Sequence, residues 1–230
     1  MVAPGNLKAD ATPLPAPASA LAELRARIGT RPVWLAASTH ADEDPLLLEA
    51  HRALLRHWPD LLTVVAPRHP ERGAALAAWL QDQGVALARR SAGALPDPAC
   101  TLYLADTLGE LGLFYRLAMV AFVGKSLVPG GGQNPLEAAR LGCPVLFGPH
   151  MANFAPAAAA LLQAGSAREV ADGAALAAAV AELIADPAAR ACMAERGLAA
   201  TAGDAGVLRA TLAALAPLLE RTLGPIDARP

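Results

Sequence analysis

The chain has 230 residues, 54% of them hydrophobic and 17% charged, with a formal net charge of -2. That length suits one large domain or two small ones and can bury a substantial core. The charge balance excludes nucleic acid as a main partner, because neutralising a phosphate backbone needs a basic surface, and no uninterrupted apolar run reaches the roughly 18 residues of a membrane-spanning helix. Alanine supplies much of the apolar count and aromatics only 4%, which favours helices packed closely on a sheet. Cys100, Cys143 and Cys192 stand too far apart for a metal knuckle or a CxxC motif, and read as small buried hydrophobes in a reducing compartment. The opening segment, MVAPGNLKADATPLPAPASA, has no basic region followed by an apolar core. It reads as a Pro/Ala-rich linker rather than a signal peptide.

Along the chain, helical and extended patterns alternate. A helix is expected over Ala18–Ile28, a strand over Pro32–Ala37, and an amphipathic helix over Asp44–His57 with Leu46, Leu47, Ala50, Leu54 and Leu55 on one face. Leu61–Ala66 follows as a strand, Pro70–Gln81 as a helix, and Val85–Ala88 and Thr101–Leu104 as two short strands. A short helix over Gly109–Arg116 precedes a strand over Met119–Val123, a helix over Pro135–Leu141 with Gly142 as its cap, and a sixth strand over Pro144–Phe147. Helices then follow around Phe154–Gln163, Ala174–Ile184, Pro187–Leu198 and Ala205–Leu223. The alternation predicts an α/β fold with a doubly wound, mostly parallel, Rossmann-like sheet covered on both faces. Ligands of such sheets bind beyond the carboxyl ends of the strands, so the residues just after each strand are the candidates.

The most informative stretch is FVGKSLVPGGGQNPLE, residues 122–137. A strand runs into a loop with three consecutive glycines, and Asn134, Pro135 and Glu137 then form a helix start. Strand, glycine loop and helix N-terminus together make a seat for an anion. Glu137 would repel a phosphate beside it but suits sugar hydroxyls, which points to a nucleotide; the plainer alternative is a capping box after a loop.

The other strand ends carry Ser38, Thr39 and His40; Arg68 and His69; Asp106, Thr107 and Glu110; and His150. Each has a plainer role as a cap, a solvated loop residue or a first-turn acid. Taken together, Arg68 and Lys125 would attract an anion at one rim, where Glu110 and Glu137 would want hydroxyls, a combination suited to a sugar nucleotide. No close-spaced histidine pair or acid is set for zinc. A Walker motif, GxGxxG and a GxSxG elbow are all absent.

The motifs STH, PRHPER, DTLGEL, FVGKSL, GGGQNPLEAA and GPHMANF, in that order, resemble the carboxyl-terminal half of the bacterial 3-deoxy-D-manno-octulosonic acid (Kdo) transferases of lipopolysaccharide synthesis. GNLKAD near the start resembles that family's interdomain segment, and the resemblance runs from about Gly5 to Leu219. It implies a GT-B glycosyltransferase, in which two Rossmann-like domains face each other. The donor CMP-Kdo would lie in this half, and the missing amino-terminal half would carry the acidic general base and take lipid A precursor at the cytoplasmic face of the inner membrane. The domain division it implies is a linker remnant over 1–17, a donor-binding domain over 18–223 and a tail over 224–230. No metal or other cofactor is expected, and no catalytic residue in this chain, which alone would be inactive.

By motif, Arg68 would meet the CMP phosphate or the Kdo carboxylate, with Ser38, His69 and Lys125 nearby. Gly109, Glu110 and Leu111 would hold the cytidine side; Ser126, Gly131, Gly132 and Asn134 would seat the phosphate; Glu137 would take ribose hydroxyls. Two departures stand out: many members read GGS at Gly124-Lys125-Ser126 and GGHN at Gly131-Gly132-Gln133-Asn134. An added lysine strengthens anion binding, whereas glutamine donates no proton as histidine can. Two other readings of the chain remain at this stage, a GT-B donor half for a UDP-sugar and a nucleotide-binding module without catalysis.

Overall fold

The computed structural model describes residues 12–202 and 207–223. Seven strands form one sheet: β1 (Val33–Thr39), β2 (Leu62–Pro67), β3 (Leu87–Arg89), β4 (Leu102–Leu104), β5 (Val120–Val123), β6 (Val145–Phe147) and β7 (Ala167–Glu169), in the order β3-β4-β2-β1-β5-β6-β7. Every neighbouring pair is parallel, as the alternating pattern predicts. The central strands are buried on both faces, and alternate residues serve opposite layers. Val33, Leu35 and Ala37 of β1 join one core cluster, while Trp34 and Ala36 join the other.

The helices are α1 (Ala18–Ile28), α2 (Asp44–Leu55), α3 (Gly73–Asp82), α4 (Leu111–Tyr115), α5 (Leu136–Ala139), α6 (Ala155–Ala164), α7 (Gly173–Ala185), α8 (Pro187–Ala202) and α9 (Val207–Leu223). The first core cluster takes Leu24 and Ile28 of α1, Phe114 of α4, Ala138 of α5 and Leu161 of α6. The second takes Leu48 and Leu54 of α2, Leu76 and Leu80 of α3, and Leu176 and Val180 of α7. Residues 13–200 make one compact unit, and α9 falls in another. By itself α9 is a 17-residue helix with Pro217 inside it and Leu212, Leu215 and Leu219 exposed. No helix among the described residues is long and apolar enough to cross a membrane.

Three expectations of secondary structure need correcting. A seventh strand, β7, exists where none was expected, because its Ala-Arg-Glu sequence lacks an apolar run; an edge position needs only one buried side chain, and Arg168 pairs with Glu182 at 2.8 Å instead. The helix expected over Pro135–Leu141 is only the single turn of α5, and that expected from Gly109 begins at Leu111. Of the segment read as a linker remnant, residues 1–11 lie outside the described part, as does the 224–230 tail. Its remainder is docked: Leu14 and Ala16 pack on the core, and Arg116 Nη1 donates to the Leu14 carbonyl at 2.7 Å.

One polar network lies inside the second layer. Trp34 Nε1–H donates to Thr63 Oγ1 at 2.8 Å, and Thr63 Oγ1 lies 2.7 Å from His51 Nδ1. The other ring nitrogen, Nε2, faces Thr101 Oγ1 at 3.5 Å, and Thr101 donates in turn to the Ala86 carbonyl at 3.2 Å. Donation runs one way along this chain when His51 is neutral with its proton on Nε2. Burial, helped by the Arg52 charge, lowers the His51 pKa from 6.5 to about 4. The unfolded chain therefore takes up the proton first, and native stability is complete above pH 6.5 and falls as pH drops towards 4. Urea unfolding across that range should show a loss of about 3 kcal/mol in the native chain and a flatter profile in His51→Gln; equal slopes would contradict the assignment.

Candidate functional site

The strand order makes the site. The chain leaves β1 towards β2 on one side and later returns to place β5 on the other, so the connections diverge and open a crevice at the carboxyl ends of β1 and β5. The backbone there is unusual. Ser38 sits in a bulge where the β1–β2 register slips, with φ 55°, and Lys125 has φ 57°. Among the described residues these are the two non-glycine residues in the left-handed region, and they stand at the ends of neighbouring strands. Such conformations cost about 1–3 kcal/mol each and persist where surrounding contacts hold them. Gly124 separates them: a Cβ there would lie 2.6 Å from the Ser38 carbonyl oxygen and 2.8 Å from Thr39 Cα.

A hollow of about 210 Å³ opens at this rim. Five expected residues line it, from four separate strand ends: Ser38 at the end of β1, Arg68 after β2, Gly109 and the first residue of α4, Leu111, after β4, and Glu137 of α5 after β5. Among the described residues the Arg68 guanidinium makes no hydrogen bond or ion pair, so it faces the hollow with its charge unmatched. Glu137 accepts from Asn134 Nδ2 at 3.2 Å, while Asn134 Oδ1 accepts from the Leu136 amide at 3.2 Å. Asn134 thus holds the first turn as expected, but α5 begins at Leu136, with Pro135 at the cap position rather than inside the helix.

The glycine loop lies along the same rim. Gly131 and Gly132 have φ 87° and 74°, and a Cβ at either would lie 2.4 Å from Asn153 or Met151 of the β6–α6 connection. Gly132 and Gln133 donate their amides to the Lys125 and Gly124 carbonyls at 2.8 and 3.1 Å. The amides of Gly131 and Asn134 have no protein partner among the described residues. Gly131 lines a second hollow of about 520 Å³ with Pro149, His150 and Met151, and is not among the residues that line the hollow of Arg68.

Other expected residues are engaged elsewhere. Ser126 is fully buried; its hydroxyl donates to the Val123 carbonyl at 2.6 Å and accepts from the Gly148 amide at 2.8 Å. It ties β5 to β6 and offers no free hydroxyl to a phosphate. Glu110 is clamped by Arg90 at 2.6 and 3.0 Å and by the Thr107 hydroxyl at 2.5 Å. The Arg90 guanidinium beside it holds its carboxyl below the usual range, and Glu110 in turn raises the Arg90 pKa. His69 stands edge-on to His40, ring centroids 5.5 Å apart, with Nδ1 3.3 Å from Glu71. Burial, then the Lys125 charge, lowers the His40 pKa.

Sequence reasoning missed several supports. Arg89 pairs with Asp106 at 2.5 Å, and Ser91 donates to the same carboxylate from its amide and hydroxyl. Burial pushes the Asp106 pKa up, yet Arg89 and Ser91 outweigh it and the carboxyl lies below its usual value. Arg72 takes Asp44 with two contacts at 2.6 and 2.8 Å, so of the two arginines in PRHPER one is structural and one is open. Glu43, fully buried, accepts from four backbone amides. In STHADEDP it is one of three acids at a helix start, and nothing local says which of them turns inward. Among the described residues no group of three or more His, Cys, Asp or Glu could hold a metal.

No family profile matches the chain. The 3-deoxy-D-manno-octulosonic acid transferase of Haemophilus influenzae is 40% identical over 194 residues, covering 84% of this chain and 45% of that protein. That of Bordetella pertussis is 42% identical over 207 residues, covering 85% and 48%. The chain thus spans about half the length of these curated relatives. The crystal structure of the C-terminal CMP-Kdo binding domain of WaaA from Acinetobacter baumannii superposes with a TM-score of 0.75 at 32% identity, covering 79% of this chain and 96% of that one. The C-terminal domain of a group 1 glycosyl transferase (LpcC) from Francisella tularensis matches with a TM-score of 0.55 at 15% identity, a likeness of fold.

The contact at Gly124 is backbone against backbone and has no flexible side chain to yield. Gly124→Ala should therefore destabilise the fold by about 2–4 kcal/mol, read as a fall in Tm of roughly 5–10 °C. An unchanged Tm would show that the two strand ends are not packed this closely.

Proposed function

Since the chain belongs to the 3-deoxy-D-manno-octulosonic acid transferases and matches their carboxyl-terminal domain, we propose that it binds CMP-Kdo and forms the donor half of a glycosyltransferase. The observation that carries this reading is the hollow shared by Ser38, Arg68, Gly109, Leu111 and Glu137, which sets an unmatched cation opposite a carboxylate across one small space. Arg68 would meet the phosphate or the sugar carboxylate, the Gly109–Leu111 turn the cytidine side, and Glu137 the ribose hydroxyls.

The hollow, at about 210 Å³, is smaller than the roughly 300–1,000 Å³ of a complete small-molecule site. A donor seated in it would leave its sugar uncovered, which fits a site completed by a facing domain. In that arrangement an acceptor hydroxyl of lipid A precursor attacks the anomeric carbon of Kdo, and CMP departs. An acid on the amino-terminal domain takes the hydroxyl proton, at the cytoplasmic face of the inner membrane. This half would act electrostatically. As charge develops on the leaving phosphate, Arg68, Lys125 and the unpartnered Gly131 and Asn134 amides would stabilise it without a metal ion. Each well-aimed donor of this kind is worth about 3–4 kcal/mol in a dry site. The chain alone should bind the nucleotide and transfer nothing.

Calorimetric titration separates the possibilities. CMP should bind measurably and more tightly than UDP, and Arg68→Ala should weaken CMP by about tenfold or more, as expected for loss of a charge-assisted contact. Preference for UDP, or an unaltered affinity in Arg68→Ala, would overturn the assignment.

A further inference from the structure

The amides that follow β5 look built for an anion, yet the chain fills them itself. Lys125, Ser126 and Leu127 turn their N–H groups to one point, as a left-handed residue within a loop makes successive amides do, and the carboxylate of Glu43 occupies that point. Oε1 accepts from Ser126 at 2.9 Å and Leu127 at 3.1 Å; Oε2 accepts from Lys125 at 2.5 Å and, from the β1 side, His40 at 3.3 Å. The carboxylate is fully buried, and each of these partners is a backbone donor. One side chain therefore ties together the ends of β1 and β5, across the crevice where the chain order reverses.

Two consequences follow from this contact. A ligand phosphate cannot use these three amides while Glu43 holds them, so it must meet side-chain cations and the glycine loop. Glu43 also fixes Lys125 at φ 57°, and that conformation lays the lysine stem over Gly130, where a Cβ would fall 2.6 Å from Lys125 Cγ and 2.7 Å from Cε. Lys125 also accepts the Gly132 amide through its carbonyl at 2.8 Å. The position of the lysine and that of the glycine loop thus depend on one buried acid.

We propose that Glu43 is a positioning residue: its carboxylate occupies the anion nest after β5 and sets Lys125 and the glycine loop for a ligand phosphate. The ligand in this statement rests on the donor-binding reading above; the loop placement does not. Glu43→Gln keeps the shape but turns an NH2 towards donors, leaving at least one amide unpaired.

Amide hydrogen exchange on the native chain is the first arm. The Lys125, Ser126 and Leu127 amides should exchange as slowly as those of β5 although they lie in a loop, and fast exchange overturns the latch with no variant needed. In Glu43→Gln their exchange should quicken by about tenfold or more, the loss of a charge-assisted bond. If that variant does not fold, Glu43→Asp, which is too short to span both strand ends, takes its place. The second arm is a double-mutant cycle read by CMP affinity. Glu43→Gln should weaken CMP about tenfold in the native background and by at least about threefold less in Lys125→Ala, because the part that acts through the lysine side chain is already lost there while the backbone carbonyl that holds Gly132 remains. A merely structural role would cost the same in both backgrounds, and that outcome overturns the proposal. Should the native chain bind no CMP, the donor reading fails, and the exchange arm still decides whether Glu43 sets the loop.

Discussion

All seven strands point one way, and the chain leaves β1 towards β2 on one side before returning to place β5 on the other. The rest of the site depends on that constraint. Divergent connections leave a gap above the carboxyl ends of β1 and β5, and strand ends deliver their loops to its edge. Residues as far apart as Ser38, Arg68, Gly109 and Glu137 meet there because a parallel sheet puts every strand's exit on the same side. The two left-handed residues, Ser38 and Lys125, mark where the chain must turn sharply to clear its neighbour, and Gly124 makes room between them.

Charge is sorted at this edge. Arg89 is matched by Asp106, Arg90 by Glu110 and Arg72 by Asp44, each pair holding a turn in place. Among the described residues, Arg68 in the hollow and Lys125 beside the glycine loop have no acid paired with them. A chain with a formal net charge of -2 thus still places two cations at this rim, where anion binding is decided by geometry rather than by overall charge. Glu43 is different in kind. It neutralises no side chain, and gathers amides that would otherwise compete for the ligand.

Much of this was legible in the amino-acid sequence, for definite reasons. The central strands are buried on both faces, so they appear as apolar runs such as LLTVVA and AFV, and strand–helix alternation implies parallel order. Residues just past those runs could be named as candidates without coordinates, and Arg68 and Glu137 do face one hollow. The failures share a cause: burial or pairing set by tertiary contact alone. Ser126 resembles a phosphate ligand in sequence but is enclosed between β5 and β6. Glu110 resembles a free acid but is claimed by Arg90, 20 positions away. Edge strand β7 has too little apolar content to announce itself, and α5 is one turn where the cap residues suggested a longer helix.

The central claim, that one rim of the sheet takes a cytidylate, is tested most directly by a two-dimensional amide NMR titration of the chain with CMP. The account predicts that shifted resonances cluster at Ser38, Arg68, Thr107–Leu111 and Gly131–Glu137, on loops that leave the carboxyl ends of β1, β2, β4 and β5. Shifts concentrated instead along the groove between α2 and α7, around Arg52, Arg56 and Ala178, or no shifts at saturating CMP, would contradict it.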